Sequence, residues 1–168
     1  QQAVIRQALH NAGVKAEQIQ YIEAHGTGTP LGDPIEVAAL QAVLDSKAQN
    51  KPCYLGAVKS NIGHLEAAAG IAGLIKTLLA IQHQELPANL NQRQLNPAID
   101  LSNSRVCPLS KNTAWTDQQK YAGVSAFGFG GSNAHMIVAS FNGGQKEANT
   151  ALSKAPLAEP QWQRQSYW

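Results

Sequence analysis

The sequence predicts an α/β fold, a mixed sheet with helices on its faces. Short apolar runs alternate with helical stretches along most of the chain. One of those helices, residues 65–81, is rich in Ala and Gly, a surface that lets neighbouring backbones approach closely. Two further apolar runs flank a glycine-rich turn near residue 130, as a closing pair of strands would.

Val4, Ile5, Ala8, Leu9 and Ala12 recur at helical spacing, and Gly13 stands where a helix C-cap is expected. The run from Ile19 to Ala24 reads as a strand leading directly into His25. Asp33-Pro34 then opens a second helix through the N-cap and first-turn preferences of those residues. Ile35, Val37, Ala38, Leu40, Ala42, Val43 and Leu44 supply its apolar content. Tyr54 to Val58 forms the next strand and delivers Lys59 and His64 to a loop. Leu65 to Ile81 is the Ala/Gly-rich helix, expected to be buried against the sheet or a partner helix. Pro87 closes that region, and Pro87 to Trp115 reads as irregular because Asn, Gln, Ser and Pro crowd it. Tyr121 to Phe127 and Ala134 to Phe141 are the closing strands. From Asn142 to Pro160 the apolar pattern dissolves into a linker, and residues 162–168 are aromatic again. There are no internal repeats.

The 168 residues suffice for one domain of ordinary size. Hydrophobic residues make up 43% of them, while only 14% are charged, less than a freestanding soluble domain usually carries. A large hidden interface would account for that. A net charge of +2 without a Lys/Arg cluster argues against nucleic acid. Lys59, Glu66 and Lys76 interrupt the best apolar runs, so no membrane span is expected. The chain starts at Gln1 without an initiator Met or a basic leader, and is expected to be a piece of a longer polypeptide. Cys53 and Cys107 form no CxxC pair, and nothing near them in sequence would activate a thiol. A reducing cytoplasm is the expected compartment. The histidines lack the spacing of zinc ligands, and no metal is expected.

Three segments stand out. The first is Glu23-Ala24-His25-Gly26-Thr27-Gly28-Thr29, the second Lys59-Ser60-Asn61-Ile62-Gly63-His64, and the third Phe127-Gly128-Phe129-Gly130-Gly131-Ser132-Asn133. Gly26 and Gly28 allow tight turns and close backbone approach to a ligand. Each histidine follows a strand, where an α/β sheet presents functional groups. Taken alone, a histidine in that setting is more often structural, and the third segment can be a simple tight hairpin. Gly26 to Gly32 lacks the GxGxxG spacing, and no GK[ST] phosphate loop occurs. His10 and His83 sit in helical pattern as surface or packing residues, and His135 reads as structural.

In this order, the three segments resemble the C-terminal half of a β-ketoacyl synthase, a decarboxylating condensing enzyme. The resemblance covers about Gln1 to Phe141 and implies the C-terminal half of a thiolase-like fold over residues 1–141, followed by a linker with an aromatic tail over 142–168. It implies decarboxylative Claisen condensation of an acyl thioester with a malonyl-type extender on an acyl carrier protein. His25 and His64 would donate hydrogen bonds to the oxyanion and enolate oxygens, as neutral imidazoles can. Lys59 matches the family's active-site lysine. The Phe129 N–H would help form the oxyanion hole and its ring would gate the acyl pocket, with Gly128, Gly130 and Gly131 letting the loop move. Thr27 and Thr29 would bond the amides of a phosphopantetheine arm, which the carrier protein brings; no cofactor binds directly. The nucleophilic cysteine lies in the family's other half, so this acyltransferase would be inactive as an isolated piece, and a ketosynthase homodimer is implied for the full protein.

The Gly128 to Asn133 loop holds no cysteine, unlike that of thiolases, and initiating synthases carry Asn where this chain has His64. The wording of His25 to Glu36 and Lys59 to Gly70 looks like a modular type I polyketide synthase. Two alternatives stay open: a type II fatty-acid elongating synthase, and a non-catalytic ketosynthase-like module that binds carrier proteins.

Overall fold

The structure, a computed structural model, describes residues 1–45 and 51–141. The expected linker and aromatic tail, residues 142–168, lie outside them. The strands are β1 (Tyr21–Glu23), β2 (Cys53–Gly56), β3 (Glu85–Leu86), β4 (Val106–Pro108), β5 (Thr113–Ala114), β6 (Tyr121–Phe127) and β7 (Asn133–Ala139). The helices are α1 (Gln2–Ala12), α2 (Gly32–Leu44), α3 (Lys59–Ile62) and α4 (Ala69–His83). The central sheet has five strands in the order β4-β2-β1-β6-β7, while β3 and β5 form a small sheet of their own. In the central sheet β1 runs parallel to both neighbours and β2 parallel to β4, while β7 pairs antiparallel with β6, with Phe127 opposite Asn133 and Tyr121 opposite Ala139. This is the expected mixed sheet.

Each face has its own core. Ile5 and Leu9 of α1 and Leu40 and Leu44 of α2 pack with Ile22, Cys53 and Val106 of the sheet. On the other face, Tyr21 and Ala122 meet Ala80 of α4 together with Leu86, Leu109 and Trp115. α1 ends as its sequence suggests: Gly13 turns left-handed at φ 62°, and the N–H groups of Gly13 and Val14 bond the carbonyls of His10 and Leu9.

Three elements differ from expectation. α2 begins at Gly32, with Leu31 at the cap position, because Asp33 Oδ1 accepts the Gly28 N–H and Thr29 Oγ1 accepts the Gly32 N–H. Asp33 thus ties the preceding loop instead of capping the helix. β2 stops at Gly56 because the Val58 N–H leaves the ladder for Glu23 Oε1. Lys59 consequently starts the short helix α3, and only His64 stands in the loop behind it. α4 is buried on one side only. Its small residues Ala69, Gly73, Thr77 and Ala80 form the buried stripe, whereas Ile71, Ile75, Leu78 and Leu79 are about half exposed.

The stretch read as irregular also contains a sheet strand, β4. Arg105 places it. Its guanidinium donates to the carbonyls of Lys51 (3.0 Å), Ala16 (3.1 Å) and Ile19 (2.7 Å), and its N–H bonds Asp45 Oδ1 (3.0 Å). Arg105→Leu leaves buried carbonyls without a donor, which is expected to cost about 3 kcal/mol. A urea unfolding curve is expected to show a lower midpoint with an unchanged slope; an unmoved midpoint would refute this role for Arg105.

Candidate active site

The parallel strands β1, β2 and β6 direct their carboxyl ends to one edge of the sheet, where α/β proteins assemble their sites. His25 follows β1, Lys59 and His64 follow β2, and Phe127 ends β6. The rings of His25 and His64 meet edge to face, with centroids 5.6 Å apart and planes at 83°. The Phe127 ring also packs against His25, with centroids 5.7 Å apart. Two histidines separated by 38 intervening residues thus share one small volume.

The turn carrying His25 is held from beneath by Glu36 of α2. This carboxylate is only 4% exposed and accepts the N–H of His25 at Oε1 (2.7 Å) and of Gly26 at Oε2 (2.9 Å). Burial raises its carboxyl pKa, and the two N–H bonds pull the other way. Gly26 adopts φ 47°, and a Cβ there would come within 2.8 Å of the Ala57 Cβ, closer than real side chains approach. Thr27 and Thr29 sit together on the same loop, their hydroxyl oxygens 3.2 Å apart.

The electrostatics favour a neutral His25. Burial, the Lys59 ammonium and His64 together push its pKa down to about 4, and its Nδ1 is buried without a hydrogen-bond partner among the described residues. His64 Nδ1 accepts the Glu66 N–H at 2.9 Å, so in the neutral ring the proton resides on Nε2, which is then a donor. Glu66 takes the uncommon φ of 49° at that contact. Burial lowers the Lys59 ammonium, while Glu23 and Glu36 raise it.

Glu23 is the second buried carboxylate, 1% exposed. Its Oε2 accepts Lys76 Nζ (2.9 Å) and the Tyr21 hydroxyl (2.5 Å), and its Oε1 accepts the Val58 N–H (2.5 Å). Burial and the adjacent Glu23 charge hold the Tyr21 phenol well above its usual pKa, so it remains a donor. The sequence reading missed Glu23, Glu36 and Lys76. Their signal was available: a carboxylate inside an apolar run, as in Ile22-Glu23-Ala24 and Ile35-Glu36-Val37, needs partners wherever it is buried.

The third segment forms a tight turn, with Gly128 N–H bonded to Ser132 O (2.7 Å), Gly131 N–H to Gly128 O (2.9 Å), and Gly131 at φ 90°. Gly130 stands at its exposed tip. The Phe129 side chain is fully exposed, and it is Phe127 that packs against His25. A cleft of about 930 Å³ opens beside the site, lined by Gly26, Thr27, Gly28, Lys59, Asn89 and Asn96 among others, with neither imidazole in its wall. Cys53 lies in the core with its thiol pushed up to about 12 by burial, and burial also raises Cys107; neither thiol is activated. His135 on β7 meets Ser125 Oγ through Nδ1 (3.0 Å) on the neighbouring strand β6. Among the described residues, no group of His, Cys, Asp and Glu could hold a metal ion, and no helix is long and apolar enough to cross a membrane.

The family profile described as "Beta-ketoacyl synthase, C-terminal domain" matches residues 1–93, and "Ketoacyl-synthetase C-terminal extension" matches residues 96–161. The chain is 49% identical over 141 residues to a phenolphthiocerol/phthiocerol polyketide synthase of Mycobacterium tuberculosis, covering 82% of this chain and 8% of that protein. It is 45% identical over 163 residues to polyketide synthase GfsA of Streptomyces halstedii, covering 95% of this chain and 2% of the other. Among solved structures it resembles ketosynthase twelve of the bacillaene polyketide synthase from Bacillus amyloliquefaciens, with a TM-score of 0.79 and 41% identity over 84% of this chain and 26% of that one. The chain therefore spans less than a tenth of the length of these curated relatives, and about a quarter of that ketosynthase structure.

The depressed imidazoles have a consequence for stability. His25 and His135 both have pKa values lowered to about 4, His135 by burial alone. Between the ordinary value of 6.5 and 4, the unfolded chain binds protons that the native protein does not. Stability is therefore full above about 6.5 and falls as the pH drops through that window. The urea midpoint is expected to fall between pH 7 and pH 5, and the double variant His25→Asn, His135→Gln to flatten that fall. An equally steep fall in the variant would refute the assignment.

Proposed function

The chain belongs to the β-ketoacyl synthase family, as its C-terminal part, and from that premise we propose that it supplies the two-histidine half of a ketosynthase in a modular polyketide synthase. The observation that carries this reading is the His25–His64 pair, two imidazoles 5.6 Å apart with a donor at His64 Nε2 and a neutral ring at His25. Such a pair suits an oxygen that gains negative charge during reaction and is uncharged before it. Each fixed donor of this kind typically lowers the barrier by about 3 kcal/mol.

The reaction has two halves. An acyl group is first transferred from a carrier-protein thioester to a cysteine Sγ contributed by the adjoining ketosynthase segment. A malonyl thioester on the carrier's phosphopantetheine arm then loses carbon dioxide, and the electron pair of the breaking bond forms an enolate. Its oxygen is held by His25 and His64. The enolate carbon attacks the acyl carbonyl, a carbon–carbon bond forms, and the cysteine thiolate leaves. Thr27 and Thr29, on the loop that follows His25 and with their hydroxyl oxygens 3.2 Å apart, would meet the amides of the arm, and Lys59 keeps positive charge near His25. In the Gly128–Gly131 turn the N–H groups of Gly128 and Gly131 close the turn itself, and the Phe129 N–H would be the donor to the oxyanion of the acyl step. The polyketide synthase names of the similar proteins favour this setting over a discrete fatty-acid synthase.

The outer face of α4 supports a partner segment. Ile62, Ile75 and Leu79 line an apolar recess of about 610 Å³ with Lys76, His83 and Pro87, and Ile71 and Leu78 of the same helix are also about half exposed. The remainder of the ketosynthase is the occupant that fits, and it also brings the cysteine. A dimer of the full ketosynthase and docking of an acyl carrier protein complete the reading.

In the protein containing both halves, His25→Ala and His64→Ala are each expected to lower condensation by about a hundred-fold or more, measured as carbon–carbon bond formation from acyl and malonyl carrier thioesters. Condensation retained in both variants would overturn the assignment of the two histidines, whereas replacement of the cysteine in the adjoining segment would favour a carrier-binding module without catalysis. The isolated 168-residue chain is expected to form no product and to aggregate or fold incompletely. A cooperative thermal transition together with a monomeric gel-filtration peak would overturn that expectation.

A further inference from the structure

We propose that Glu23 is a positioning residue for the condensation, fixing Lys59 beside His25; this rests on the ketosynthase reading above. Neutralising Lys76 would require one oxygen of this carboxylate. The structure uses both. Oε2 is clamped by Lys76 of α4 and by Tyr21 of its own strand, so the side chain cannot swing. Oε1 is then aimed at the Val58 N–H, the residue that opens α3 and directly precedes Lys59. One buried carboxylate therefore joins the strand that ends at His25 to the helix that begins at Lys59.

The packing leaves this clamp no slack. A Cβ at Gly73 of α4 would lie 3.0 Å from the Glu23 Cγ, so the helix closes directly on the side chain. The charges point the same way. Lys59 is faced by Glu23 from β1 and by Glu36 from α2, both of which favour its ammonium, and that ammonium in turn disfavours protonation of His25, as His64 also does. Lys76 also neighbours Glu23, at 2.9 Å, and its ammonium lies 5.6 Å from the centre of the Tyr21 ring. Glu23 thus holds both the place and the charge of Lys59.

The test uses the full ketosynthase protein with Glu23→Gln and with the double variant Glu23→Gln, Lys76→Met, which leaves no unpaired ammonium behind. Acyl loading of the cysteine reports that each variant is folded, and where the single variant fails to fold the double variant carries the test. Both are expected to lower kcat for condensation by about ten-fold or more, since small displacements of reacting groups are costly, with KM for the malonyl carrier thioester within about two-fold of wild type. The alkaline limb of the kcat profile is expected to move to lower pH, because Lys59 has lost a neighbouring negative charge. A residue that only neutralises Lys76 would give a double variant of wild-type kcat and an unmoved limb, and either result overturns the proposal. Wild-type protein that loads acyl groups and forms no carbon–carbon bond overturns the ketosynthase reading itself, and this proposal with it.

Discussion

A carboxylate buried in the middle of a parallel sheet must be given donors, and the architecture around β1 follows from that requirement. Glu23 lies on the central strand with its side chain turned toward α4. Tyr21, two residues earlier on the same face, supplies one donor, and α4 supplies a second through Lys76. The third comes from the backbone at Val58, which ends β2 and turns the chain into α3. Gly73 is small because the carboxylate occupies the space its side chain would need. A strand end, a helix start and a glycine are thus all answers to one buried charge.

The opposite face repeats the device with different geometry. Glu36 turns both oxygens toward consecutive N–H groups of the His25–Gly26 turn, so the loop bearing the histidine is pinned by main-chain bonds and the imidazole stays free for chemistry. Two carboxylates, one on each side of the sheet, therefore bracket the edge where β1 and β2 end. Burial first, and then the nearby Lys59 ammonium and His64, keep His25 without a proton. A donor pair that is neutral at rest suits an oxygen whose charge appears only during reaction.

Much of this was legible in the sequence, and the residues show why the rest was not. His25 and His64 stood out only as part of three motifs in one order, and the structure brings their rings together. The helix α1 and the β6–β7 pair followed from periodicity and from Gly13 and the glycine-rich turn. The helix α3 has four residues, too few to show a period. β4 has three and is placed by Arg105 reaching carbonyls more than fifty residues away in sequence, a contact no local pattern records. Asp33 looked like a cap because its type and position suit one, yet its oxygen was already committed to Gly28. Glu23 and Glu36 were passed over because a charged residue in an apolar run gives no hint of which distant donors will meet it. α4 was expected to be buried, and its small-residue stripe is; its larger residues face outward, toward the side proposed for the rest of the ketosynthase.

The Arg105 clamp bears on how such domains tolerate sequence drift and recombination. Its guanidinium engages only main-chain carbonyls, at Ala16, Glu17, Ile19 and Lys51. Every amino acid offers that same oxygen, so the receiving segments are free to change identity while the arginine is not. A chimera that joins the first fifty residues of one relative to the rest of another keeps this fastening as long as backbone spacing is preserved. The guanidinium acts as a universal buckle, reading the course of the chain and ignoring its letters.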